Sequence, residues 1–272
     1  MENNTTKVLL KDHLRQEVDE RLIEFTANNA HSILYWSQER FCQMAGISEE
    51  QALDFFAAFD SPSFAAFKNL VRSVLYQDIQ GQGVTKRSIG SITEELIETE
   101  IQNLRKLASD MDYEKLERLT CDLAQASSVM VMGNGGAAPY AIYLISMLNK
   151  LGIKAYRMGG IADFSSSHDT STLVISFGIA RYSKRSVLQL RGLRQRGYRV
   201  VGFTDRQDSP WIDLTDYCFF MPLRGFDFVD SYTAGITLIN ALLLNIGLQD
   251  EQKLIAQLNA HDAALEDMDV FF

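Results

Sequence analysis

Two stretches of this chain hold residue types suited to gripping a small anion. In "VMVMGNGGAAPY", glycines at 133, 135 and 136 stand between a short apolar run and a helical pattern. Glycine lets the backbone turn tightly there, so that amides at the helix N-terminus can point at negative charge. Gly133, Asn134, Gly135, Gly136 and Ala137 are therefore the first candidate ligand residues. The spacing is not a dinucleotide fingerprint. Its third position is Ala138, and "KAYRMGG" supplies no acid at the end of the next strand to hold a ribose. A purely structural strand-to-helix turn is the competing reading.

The second stretch is "VISFGIARYSKRS". Its strand ends at Ser176, and Tyr182-Ser183 open the next helix, so that Ser176, Arg181, Tyr182 and Ser183 fall at a strand's carboxyl end. Ligands bind at that edge of open α/β sheets. Arg181, Lys184 and Arg185 would add charge-assisted contacts to a phosphate. The plainer alternative is that Ser183 caps a helix whose bases are solvated. A third piece, "GFTDRQDSPWIDLTDYCFF", reads as structural, with a turn at Ser209-Pro210 and loop-closing Asp213 and Asp216.

Other chemistries find little support. Cys42, Cys121 and Cys218 are far apart and lack CxxC spacing, which excludes a zinc module or disulfide scaffold and fits thiols in a reducing compartment. The histidines, His13, His31, His168 and His261, make no metal-ligand pair. No metal, no cofactor and no catalytic residue is assigned. The start "MENNTTKVLLKDHLRQEVDE" has early acids and no apolar core of a signal peptide, and the longest apolar runs fall short of the roughly 18 residues a membrane span needs. The expectation is a cytoplasmic protein without membrane partners. A net charge of -9 argues against a generally basic nucleic-acid binder, although a local patch escapes that average.

The elements that position these residues fall into two groups. Residues 7–78 read as helices. Leu10, Leu14, Val18, Leu22 and Phe25 form one broad face, and "SILYWSQERFCQMAG" makes a helix that stops at Gly46. Ser48 caps the next helix, with Gln51 at the capping-box position, and Pro62 ends it. A helix, a turn on Gly46 and a second helix capped by Ser48 is the helix-turn-helix plan. "QGQGVTKRSIGS" is a linker, and a long helical stretch from Thr93 to Ala126 breaks near "SDMDY". From Ser128 onward "SVMVMG", "KAYRM", "TLVISF", "YRVVGFT" and "DYCFFMP" alternate with helices, which means βαβ units and a parallel sheet. The expected organisation is a helix-turn-helix domain over 1–79, a linker and connecting helix over 80–110, and an αβα sandwich with a five-stranded parallel sheet over 111–272.

Together the glycine loop, "VISF…YSKRSVLQLRGLRQRGYRVVGFTD" and "SPWIDLTDYCFF" resemble the sugar isomerase (SIS) domain, which binds phosphosugars. With "AGISEEQALDFFAAFDSPSFAAFKNLV" in front, the whole chain resembles the RpiR family of bacterial regulators, which pair a helix-turn-helix with an SIS effector domain. The resemblance implies DNA contacts at Ser48, Gln51 and Lys68, a homodimer or homotetramer, and ligand contacts at the two stretches above. The chain departs from the family pattern in both halves. The second helix carries Asp54, Ala57 and Ala58 in place of basic residues, and residues 31–60 hold one base, Arg40, against Glu39, Glu49, Glu50, Asp54 and Asp60. Ala137 replaces the serine that usually ends the first loop, and Gly178 replaces the middle serine of the second.

Three functions follow. The first is a ligand-responsive, DNA-binding transcription regulator that senses a phosphosugar or related anion. The second is an aldose–ketose phosphate isomerase, with His168, Asp163 or Asp230 as its base. The third is a sensor or adaptor that keeps the fold and has given up DNA. The first is the reading the architecture favours.

Overall fold

The computed structural model describes residues 2–34, 36–81, 89–158, 169–180, 182–225 and 229–267. The chain forms two compact units, Met1–Ser91 and Ile92–Phe272.

The first unit is helical: α1 (Glu2–Asp12), α2 (Glu20–Asn28), α3 (Ala30–Ile33), α4 (Gln38–Ala45), α5 (Glu49–Ala57) and α6 (Phe64–Gly81). The apolar face running from Leu10 to Phe25 is not one helix. The chain leaves helix after Asp12, and the Asp19 carboxylate caps α2 by accepting from the Arg21 amide at 2.9 Å. "SILYWSQERFCQMAG" likewise divides into α3 and α4, because Ser37 accepts from the Arg40 amide and starts a new helix. In both cases a side chain that satisfies free helix amides overrides a continuous apolar period.

The helix-turn-helix comes out as local chemistry dictates. Gly46 ends α4 in the left-handed region at φ 67, which glycine adopts without penalty. Ser48 and Gln51 then form a reciprocal capping box on α5, at 3.2 and 2.9 Å. Both helices close on Phe41, whose ring lies 5.3 to 6.3 Å from those of Phe25, Phe55, Phe56, Phe64 and Phe67. Burying Phe55, Phe56 and Ala52 turns the other side of α5 outward, and it presents Glu49, Glu50, Gln51, Leu53, Asp54 and Ala57.

The second unit holds α7 (Ile89–Asp110) from Ile92 onward, α8 (Tyr113–Gln125), β1 (Ser128–Gly133), α9 (Ala138–Lys150), β2 (Ala155–Arg157), β3 (Thr172–Gly178), α10 (Lys184–Gln195), β4 (Arg199–Thr204), α11 (Trp211–Leu214), β5 (Tyr217–Phe220), α12 (Thr233–Gln249) and α13 (Glu251–Asp267). The sheet order is β2-β1-β3-β4-β5, all parallel. Alternate residues serve opposite faces, as the pleat requires. Val129 and Val131 join the core made with Leu107, Leu119, Leu144 and Leu238. Met130 and Met132 join the one made with Leu190, Leu193 and Trp211. Thus α7, α8, α9 and α12 cover one face, while α10 and α11 cover the other.

This winding positions the site. From β1 the chain crosses through α9 to β2 on one side; from β3 it crosses through α10 to β4 on the other. The two crossovers leave neighbouring strands toward opposite faces, so a crevice opens beyond the carboxyl ends of β1 and β3.

Candidate functional site

The first wall of the crevice is the turn after β1. Gly133 is held there by space: a Cβ would stand 2.5 Å from the Ala137 carbonyl oxygen and 2.9 Å from the Ala141 methyl. Gly135 sits at φ 58 and opens a single 3-10 turn, Gly135–Ala137, that runs into α9. No side chain caps α9. Ala137 is buried in the core beneath the turn and contributes no surface. Asn134 is exposed, and its amide donates to the Ser186 hydroxyl at 2.9 Å, joining the β1 turn to the first turn of α10 across the crevice.

The second wall, after β3, differs from the sequence expectation. Ser176 is wholly buried and accepts a hydrogen bond from the Trp211 indole at 3.0 Å. The indole lies flat in the space that a side chain at 178 would occupy, for a Cβ there would stand 2.2 Å from Trp211 Cε2. Gly178 is therefore matched to Trp211. Tyr182 packs on the indole, ring centroids 5.5 Å apart, and donates its hydroxyl to Asp205. The other Asp205 oxygen accepts from the Ala180 amide at 3.0 Å. Burial, and then the bond to Asp205, push the Tyr182 hydroxyl above the usual tyrosine range. Ser183 caps α10 by accepting from the Ser186 amide at 3.4 Å. Lys184 and Arg185 are exposed beside it. Arg181, His168 and Asp163 lie outside the described residues.

Three further residues border the crevice without having been predicted there as ligand contacts. Arg157 ends β2, and its guanidinium donates to the Gly133 carbonyl at 3.2 Å, which places an exposed cation at the lip of the glycine turn. Tyr232 donates to the Gly136 carbonyl at 2.9 Å from the start of α12. The exposed Asp230 carboxylate lies 3.8 Å from the point where a Gly136 Cβ would stand. Tyr140 lies buried below them, and its hydroxyl is pushed up by burial, with Tyr232, Asp230, Glu100 and Asp205 adding to the effect. Sequence signals existed for one part of this: Trp211 in a turn where a leucine is usual, and Gly178 where a serine is usual, are complementary changes in volume. Nothing local in the sequence pointed to Arg157. Among the described residues no cluster of three metal-ligating side chains occurs, and no helix is long and apolar enough to cross a membrane.

The residues expected to contact DNA are engaged within the first unit. Ser48 and Gln51 bond each other in the capping box, and Lys68 donates to the Trp36 carbonyl at 3.3 Å with its ammonium 5.0 Å from the Phe64 ring centroid.

Comparison with known proteins agrees with this architecture. The SIS domain family model matches residues 122–245. The sugar isomerase domain of an RpiR transcription factor from Sphaerobacter thermophilus shares 26% identity at a TM-score of 0.60, covering 63% of this chain and 98% of that one. NanR of Vibrio vulnificus, solved in complex with ManNAc-6P, shares 14% identity at a TM-score of 0.65 and covers 97% of this chain and 98% of its own. Protein c3406 of Escherichia coli CFT073, also solved as a complex, shares 14% identity at a TM-score of 0.55 and covers 66% of this chain and 100% of its own. No curated protein matches the chain. Residues 122–245 match the SIS domain family, and the chain as a whole is similar in fold to NanR, with a helical unit followed by a five-stranded parallel sandwich.

Proposed function

We propose that this protein is a ligand-responsive regulator of transcription whose SIS sandwich binds a small anionic sugar derivative in the crevice between β1 and β3. The observation that carries the reading is the Asn134–Ser186 bridge at 2.9 Å. It ties the glycine turn to the first turn of α10, so that both would border one ligand. A ligand bound across the crevice would touch elements from both halves of the sheet, and its binding energy would favour one relative placement of them. The presence of a sugar phosphate in the solved NanR complex, a protein of the same two-part fold, supports the choice of ligand class. No catalytic step is needed. Two copies of the chain would suit two half-sites on DNA.

The outward face of α5 favours a second reading, a sensor that acts on a protein partner. Glu49, Glu50 and Asp54 lie exposed on it, and no base accompanies them on that helix. Phosphate contacts come from Lys, Arg or helix N-termini, and affinity falls steeply with each one lost. Fluorescence anisotropy with DNA tiled from upstream of the protein's own gene, at low and then physiological salt, separates the two. Saturable binding to one tile that weakens with salt, and that a sugar phosphate modulates, supports the regulator. Absence of binding at low salt, with sugar-phosphate binding intact by calorimetry, supports the sensor.

A further inference from the structure

Three of the donors at the end of β3 are already taken. Ser176 is enclosed under Trp211, and the Ala180 amide and Tyr182 hydroxyl both go to the Asp205 carboxylate. A built-in carboxylate thus stands where the β3 loop would otherwise receive an anion. Asp230 brings a second carboxylate close to Gly136 from the α12 side. An anionic group placed between Asp205 and Asp230 would meet like charge, which is unfavourable. Lys184 and Arg185 are exposed further out on α10, and Arg206 lies over the Tyr182 ring. The β1 side carries a cation at the turn itself. There Arg157 reaches over the Gly133 carbonyl beside the uncapped start of α9. A guanidinium carries five donors in a planar fork, and its bond to Gly133 uses one of them.

We infer that the crevice is polarised: the ligand's anionic group lies over β1 and β2, held by Arg157 and the glycine turn, and its donor-bearing end faces Asp205 and Asp230. The inference rests on the crevice being the ligand site. It names Arg157 as the residue that recognises the anion and Asp205 and Asp230 as those that select the other end. The ligand class is then a small metabolite with a phosphate or carboxylate at one end and hydroxyl or ammonium donors at the other. A compact polyanion would be refused by the two carboxylates.

Isothermal titration calorimetry on the full-length protein tests this with four probes: glucose 6-phosphate, glucosamine 6-phosphate, gluconate and fructose 1,6-bisphosphate. The wild-type protein should bind at least one of the first three more tightly than the bisphosphate. Phosphate against carboxylate recognition is read from the sugar phosphates against gluconate. Arg157→Ala should weaken the best of them roughly 10- to 100-fold, the range expected for one charge-assisted contact. Arg157→Lys should recover part of that loss, and thermal melts of both variants establish that they are folded. Asp230→Asn should reduce any preference for glucosamine 6-phosphate over glucose 6-phosphate. Tight binding that survives Arg157→Ala but is lost in Ser183→Ala would overturn the polarity while leaving the crevice as the ligand site. A bisphosphate bound best by the wild-type protein would overturn it as well. Failure of every probe to bind would remove the crevice reading, and this inference with it.

Discussion

The indole of Trp211 donates to the hydroxyl of Ser176 at 3.0 Å, while its ring lies against Gly178 two residues further along the same strand. One residue from the turn after β4 thus takes up both the hydroxyl and the space through which an SIS domain of the usual pattern would offer serines to a phosphate. The turn is itself braced, since Ser209 accepts from the Trp211 amide at 3.2 Å and from Thr204 at 2.6 Å. The altered second motif is therefore a packed alternative to the usual one.

Restoring the serine at 178 should damage the protein. Gly178→Ser places a Cβ 2.2 Å from the indole, and the rigid ring cannot yield without leaving its own site. The expected cost is about 1–3 kcal/mol, the range for overpacking. Combining it with Trp211→Leu should return part of that stability relative to the sum of the single changes. Urea denaturation of the two single variants and the double variant measures the coupling.

Ser176→Ala removes the acceptor and leaves a buried indole N–H without a partner. A loss of about 1–3 kcal/mol is expected from that penalty. Because Ser176 is wholly enclosed, sugar-phosphate affinity by calorimetry should stay within about twofold of wild type, a difference of roughly 0.4 kcal/mol. A large loss of affinity in a folded variant would restore Ser176 as a ligand contact.

The Tyr182–Asp205 bond should show in the alkaline pH dependence of stability. Burial and that bond hold the hydroxyl above its unfolded value near about 10. The contribution is fully present below the unfolded value and declines as pH rises through the higher folded one. Tyr182→Phe should be less stable near neutrality and lose less between roughly pH 9 and pH 12. Denaturation midpoints across that range, with tyrosinate absorbance as a second readout, decide it.

Ser48→Ala removes the hydroxyl that accepts from the Gln51 amide, leaves the Ser48 amide donating to the Gln51 side chain, and should cost about 1 kcal/mol, within the usual range for an N-cap. Gln51→Ala leaves the Ser48 hydroxyl on the Gln51 amide and should cost less. Thermal melts rank the two.

If α5 faces DNA, its acids oppose the phosphates. The double change Glu50→Lys with Asp54→Lys should then strengthen binding at low salt and steepen the slope of log affinity against log salt by up to about 2. Anisotropy titrations at several salt concentrations give the slope. An unchanged slope would show that this helix does not face the duplex.

The sequence by itself determined the elements that rest on local chemistry. Short apolar runs in "SVMVMG" and "TLVISF", glycines at 133, 135 and 136, and the Gly46, Ser48 and Gln51 signals each act within a few residues. The physics of turns, caps and pleats reads them directly, and strands alternating with helices imply the parallel sheet. Where two local signals competed, the weaker was harder to see: Asp19 and Ser37 divide apolar faces that read as continuous helices. The tertiary structure alone decided the site. Arg157 meets Gly133 because β2 pairs with β1 in a register that sets Val131 beside Arg157. Trp211 fills the space at Gly178 because α11 folds over the end of β3, and Asp205 captures Ala180 and Tyr182 because β4 lies next to that strand. These partners are separated by 23 to 33 residues along the chain. Their meeting depends on strand order and register, which are set by how whole faces bury against one another and leave no trace in any single stretch of sequence.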